Sequence, residues 1–99
     1  MAIFVDQCRW SFKDHYWCHM VSDVSIEDLH QFAQHLGVPL RAFHGDHYDL
    51  PQHVRELALV HGAIEVTSRE VVGVLIRTGL RMSAAQRRRF LREEGLPHI

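Results

Sequence analysis

At 99 residues and 11.5 kDa the chain fits one compact domain and leaves no room for a second core. Hydrophobic residues at 46% and charged residues at 23% are ordinary globular proportions, which argues against disorder, collagen-like repeats, a coiled coil and a membrane-spanning chain. The net charge of −1 hides a polarity: residues 1 to 67 carry four basic and nine acidic groups (−5), residues 68 to 99 seven arginines and three glutamates (+4).

In chain order, Ile3-Phe4-Val5 reads as a first short strand ending at Asp6. The preceding residues are too few and too unbasic for a signal peptide, so a soluble, cytoplasmic chain without a membrane partner is expected. Residues 7 to 17 read as a loop anchored by Trp10, Phe12, Tyr16 and Trp17, and Cys18-His19-Met20-Val21 as a second strand ending at Ser22-Asp23. Cys8 and Cys18 lack CxxC spacing and are expected to be free thiols. Ser25 and Asp28 suggest a capping box for a first helix, whose Ile26, Leu29, Phe32, Ala33 and Leu36 repeat at helical spacing before Gly37 stops it.

Leu40 to His44 reads as a third strand, Gly45-Asp46 as a turn and His47 to Leu50 as an extended segment. Pro51 opens a second helix that Gly62 ends, and Ala63 to Thr67 is a fourth strand. Ser68 is expected to cap a third helix ending at Gly79, and Ser83 a final arginine-rich helix. The expectation is a small single α/β domain with about four short, at least partly parallel strands and three to four helices. Residues 1–79 would form the core domain and residues 80–99 a basic helix packed on it or extending from it.

Ligands of open α/β sheets collect beyond the carboxyl ends of the strands. If the strands are parallel, Asp6, Ser22, Asp23, the His44–Asp49 segment, Ser68 and Arg69 converge on one edge. Asp and Ser also favour such positions simply as caps. The densest cluster, His44-Gly45-Asp46-His47-Tyr48-Asp49, offers a two-histidine, one-carboxylate set in His44, His47 and Asp49, with His19 or Asp23 as a further ligand. Zinc, manganese or iron would suit it. The same residues can serve as packing groups or transfer protons, with Tyr48 orienting a substrate oxygen. Arg69 follows Ser68 at a helix start, where backbone N–H groups favour anions, and also suits a surface ion pair.

Phe4-Val5-Asp6, Cys18-His19-Met20-Val21-Ser22-Asp23, Glu27-Asp28-Leu29-His30-Gln31-Phe32-Ala33, Leu36-Gly37, His47-Tyr48-Asp49, Gly62-Ala63-Ile64-Glu65-Val66 and Arg69-Glu70 together resemble the bacterial and phage family called domain of unknown function 4031. The resemblance spans roughly residues 3 to 78 and leaves out the basic helix. It implies a small soluble α/β domain and supplies no reaction. The H-M/L-x-S/A-D and H-Y-D patterns of the family fall here on His19, Asp23, His47, Tyr48 and Asp49, whereas prolines often stand near the position of Cys8.

The preferred expectation is a binding domain whose edge, with Asp6, His19, Asp23, Tyr48 and Arg69 around the metal candidates, takes a phosphate-bearing ligand or a metal. One alternative is a metal-dependent phosphodiesterase or nucleotide hydrolase. Another is a nucleic-acid or protein interaction module using Arg87, Arg88, Arg89 and Arg92. A homodimer is compatible with the sequence, because small domains often pair to bury leftover apolar surface, but no residue pattern specifies one.

Overall fold

The computed structural model describes residues 2–94. Strands β1 (Ile3–Val5) and β2 (Trp10–Phe12) are two pieces of one arm that runs antiparallel to the long central strand β3 (His15–Ser22). The hairpin closes at Lys13 and Asp14, both left-handed with φ of 51° and 64°, a turn whose twist matches that of the paired strands. Helix α1 (Ile26–Leu36) starts at Ser25, whose side chain accepts from the Asp28 N–H, and ends at left-handed Gly37. Strand β4 (Tyr48–Pro51) pairs antiparallel with residues 17–20 of β3. Because the arm already occupies one edge of those residues, β4 takes the other. Helix α2 (Gln52–Val60), strand β5 (Ile64–Glu65), helix α3 (Ser68–Thr78) and helix α4 (Ala84–Glu94) follow.

Among the described residues these elements form a mixed five-stranded sheet with four α-helices. The one parallel pair among them is β5 with β1, joined by the required crossover. Alternation along β3 divides the core in two. Cys18 and Met20 face α1 and α2, packing with Leu29, Ala33, Leu50 and Ala58, whereas Val21 faces α3 and packs with Val71, Val74 and Leu75. Both sheet faces are therefore covered, and α3 sits over the strands that carry Phe4 and Val21. Among the described residues no helix is long and apolar enough to cross a membrane.

Three segments differ from the sequence expectation. Residues 7–17 are not a loop: they contain β2, the hairpin turn and the start of β3, with Trp10 opposite Trp17 and the Trp17 indole donating to the Phe12 carbonyl at 2.8 Å. The turn is carried by Lys-Asp instead of a glycine pair, so its usual signal is missing. Residues 40–44 are not a strand. Leu40–Ala42 is a single 3-10 turn following extended Pro39, and Ala42 and Phe43 are buried side by side, which breaks two-residue alternation. Thr67, not Ser68, caps α3, in a capping box with Glu70.

The hairpin turn gives a first prediction. Asp14 holds a conformation that costs a residue with a Cβ more than it costs glycine, so Asp14→Gly should stabilise the fold by about 0.5–1 kcal/mol. A urea midpoint that rises with unchanged slope is the expected reading; a midpoint that falls would mean that the turn is not built this way.

Candidate functional site

Cross-strand register, more than strand ends, assembles the polar cluster. Val5 stands opposite Met20, so the next residue, Asp6, lies beside His19, and His19 is in turn opposite Asp49. Asp6, His19 and Asp49 thus form one row across three neighbouring strands. Opposed residues project to the same face. Here that is the face of Val21, beside the start of α3.

Asp6 is buried and fully used. The His19 N–H donates to its Oδ1 at 2.7 Å, and its Oδ2 accepts from His19 Nδ1 at 2.7 Å and from the Ser68 hydroxyl at 2.9 Å. Because Thr67 takes the capping task, the hydroxyl of Ser68 is available for Asp6. Arg55 also donates to the Asp6 carbonyl at 2.6 Å and pairs with Glu65, tying the end of β1 to β5. Burial pushes the Asp6 carboxyl up, but the His19 hydrogen bonds and charge, with Ser68, outweigh it and leave Asp6 below the ordinary carboxylate value. An ionised Asp6 can only accept, so His19 Nδ1 carries a proton and Nε2 is the nitrogen left over.

A second imidazole is held in the same way. The backbone N–H of His44 donates to the His47 carbonyl at 2.8 Å, folding residues 44–47 into a tight turn before β4. Gly45 has φ of +97°, and a Cβ there would stand 2.5 Å from the Met82 sulfur, so the turn requires glycine. The turn drives Asp46 inside, with no solvent exposure. His47 Nδ1 donates to Asp46 Oδ1 at 2.6 Å, while Oδ2 accepts from the Met82 N–H at 2.8 Å and from Arg87 Nη2 at 3.0 Å, with Arg81 Nη1 at 4.0 Å. Burial raises Asp46, yet His47, the Met82 N–H and Arg87 prevail and bring it down to about 2. Burial likewise lowers His47, but its hydrogen bond to Asp46 and the close carboxylates of Asp49 and Asp46 win and raise it.

Asp49 is the common neighbour. Its Oδ1 lies 3.3 Å from His47 Nε2 and its Oδ2 3.2 Å from His44 Nε2. Oδ1 is buried and makes no hydrogen bond among the described residues. His19, His47 and Asp49 each bring one ligand atom within 4.8 Å of the others, and the two rings meet edge to face with centroids 5.1 Å apart. The set is partly buried, and the ring of Trp10 lies 4.6 Å from that of His19.

Of the residues singled out in the sequence, Asp6, His19, His44, His47 and Asp49 come together. Asp23 does not join them: β3 runs antiparallel to β1, so its carboxyl end lies at the far end of the sheet, where Asp23 Oδ1 accepts from the Ala2 N–H at 2.8 Å. Tyr48 neighbours Asp49 but faces the opposite side of the sheet, with its hydroxyl 2.7 Å from His30 Nδ1; burial pushes that phenol up to about 12. Arg69 is exposed on α3, one residue past Ser68. Of the arginine run, Arg87 turns inward to Asp46, whereas Arg88, Arg89 and Arg92 are exposed. Cys8 and Cys18 are free thiols, and burial raises both. Sequence reasoning did not find the burial of Asp46 or the contact of Ser68 with Asp6, because these depend on partners 36 and 62 positions away.

Residues 3–78 match a family described as a protein of unknown function (DUF4031), and the chain belongs to that family. Neither a curated protein nor a solved structure matches it. The matched stretch holds the whole histidine and aspartate cluster and stops short of Arg81 and α4.

Asp46 yields a stability prediction. A carboxyl whose folded value lies below its unfolded one contributes stability above the unfolded value, and that contribution fades as pH falls through the folded value. For Asp46 the window runs from 3.8 down to about 2, worth about 2 kcal/mol. Asp46→Asn should therefore cost on the order of 3 kcal/mol at neutral pH, through unpairing Arg87 and His47, and flatten the acid limb of the stability curve. Urea unfolding at pH 7, 4 and 2.5 checks both; an unchanged acid limb would contradict the assignment.

Proposed function

We propose that this domain binds a divalent metal ion through His19 Nε2, His47 Nε2 and Asp49, and presents it to a small polar ligand. The observation that carries the reading is the repeated arrangement of a buried carboxylate behind each imidazole: Asp6 on Nδ1 of His19 and Asp46 on Nδ1 of His47. Metal-bound histidines are typically backed in this way, which fixes the tautomer and makes the outer nitrogen more basic. The 3.3 Å between His47 Nε2 and Asp49 Oδ1 suits ligands ~2.1 Å from one ion, whose tetrahedral separation is roughly 3.4 Å. The ligand atom of His19 lies within 4.8 Å of the other two, so His19 would draw closer on binding the ion. Two imidazoles and a carboxylate favour zinc, manganese or iron and leave coordination positions open for water or a ligand. His44, near the second Asp49 oxygen, is placed to steady that carboxylate.

Such a centre can activate water, so the hydrolase reading is the catalytic form of the same proposal. An interface for nucleic acid on α4 is less favoured, because Arg87 is committed to Asp46.

The test is metal titration with elemental analysis of the full chain. Wild type should hold close to one zinc or manganese per chain, and His19→Ala, His47→Ala and Asp49→Ala should each weaken binding by at least tenfold, while Cys8→Ser leaves it unchanged. Binding should also weaken as pH falls, because the ion displaces protons from the imidazoles. Failure of the folded wild type to take up zinc, manganese or iron would overturn the proposal.

A further inference from the structure

We infer that the ligand presented to this metal is a phosphoryl group, held against the ion by Arg81; the inference rests on the metal reading above. A cavity of about 220 Å³ opens directly onto the cluster, and its wall includes His19, His47, Ser68, Arg81 and Arg87. Two of the proposed metal ligands and two arginines thus border the same space. At ~30 Å³ of liquid volume per water, the cavity holds roughly seven waters. That accommodates one phosphoryl group with its hydration. The apolar part of the same wall is formed by Val71, Val72 and Leu75 of α3.

Charge selects the same ligand. With the imidazoles uncharged, as a bound ion requires of them, the three carboxylates Asp6, Asp46 and Asp49 outweigh Arg81 and Arg87 by one, and a divalent ion turns that −1 into +1. The ion therefore strengthens anion binding, in the way that bound ions generally invert the electrostatics of a site.

The two arginines differ in availability. Arg87 donates to Asp46 at 3.0 Å and is three-quarters covered. Arg81 Nη1 stands 4.0 Å from the same carboxylate, and the Arg81 side chain is 41% exposed and makes no closer ion pair among the described residues. Its fork of donors can turn into the cavity without breaking a short ion pair, and a fork matches two oxygens of a phosphoryl group better than a point charge does. Arg69, the arginine that the sequence suggested for an anion, is not part of this wall.

The experiment is calorimetric titration of the manganese-loaded full chain with inorganic phosphate, repeated on metal-free protein and on Arg81→Gln and Arg81→Lys, with metal content measured in every sample. Phosphate should bind the loaded protein at least tenfold more tightly than the metal-free protein. Arg81→Gln should lose about tenfold in phosphate affinity at full metal content, and Arg81→Lys should recover only part of it. Competition by a short oligothymidylate would identify the source as a nucleic-acid phosphodiester; phosphate binding without such competition would identify a small phosphomonoester. Full metal content with no phosphate binding, or with equal phosphate affinity in wild type and Arg81→Gln, would overturn this inference and leave the metal reading standing. Absence of metal from the folded wild type would remove both.

Discussion

Two carboxylates without access to water dominate the organisation of this small domain. An ionised carboxyl is costly to bury unless nearly every lone pair is met, and neither Asp6 nor Asp46 is more than 1% exposed. Each is satisfied by a different kind of long-range partnership. Asp6 draws together β1, β3 and the first turn of α3 through His19 and Ser68. Asp46 joins the turn before β4 to the segment leading into α4 through His47, Met82 and Arg87. The sheet and its covering helices are locked around these two groups. Phe43 and Phe90, with ring centroids 5.6 Å apart, add an apolar contact to the second lock.

The same constraint produces the candidate chemistry. Each buried carboxylate takes Nδ1 of an imidazole, and the register of β3 with β1 and β4, together with the turn before β4, brings those rings and Asp49 together. Stability and function are coupled here: the hydrogen bonds that hold the fold also set the tautomers that a metal would need. Arg81 and Arg87 belong to the stretch beyond the family match, so the cationic wall of the cavity is contributed by residues outside the part of the chain that the family model describes.

Much of the fold was legible because local rules agreed with it. Ser25 and Gly37 bound α1, the β5–α3 unit follows β1 through a parallel crossover, and the apolar stripe of α3 faces the sheet. The misreadings share a cause. Lys13 and Asp14 make a left-handed turn without glycine, and Leu40 to Phe43 is apolar by composition but turned by geometry, so pattern alone mistook both. At the site, the clustering of His44, His47 and Asp49 within six positions was visible in the sequence. The distinction between Tyr48 and Asp49 needed the pleat, since adjacent strand residues face opposite ways. Asp23 was drawn into the cluster by an assumption of parallel strands that the antiparallel β1–β3 pair removes. The backing of His47 by Asp46, one position away, became meaningful only once Asp46 was seen to be buried.

The central claim is that two backed imidazoles and Asp49 surround one ion. X-ray absorption spectroscopy at the zinc edge of the loaded full chain tests it most directly, because it reports the atoms bound to the metal. The account predicts only nitrogen and oxygen neighbours at ~2.0–2.1 Å, with the outer-shell scattering of two imidazoles that falls to one in His19→Ala and in His47→Ala. A sulfur shell at ~2.3 Å from Cys8 or Cys18, or a spectrum that neither substitution changes, would contradict it.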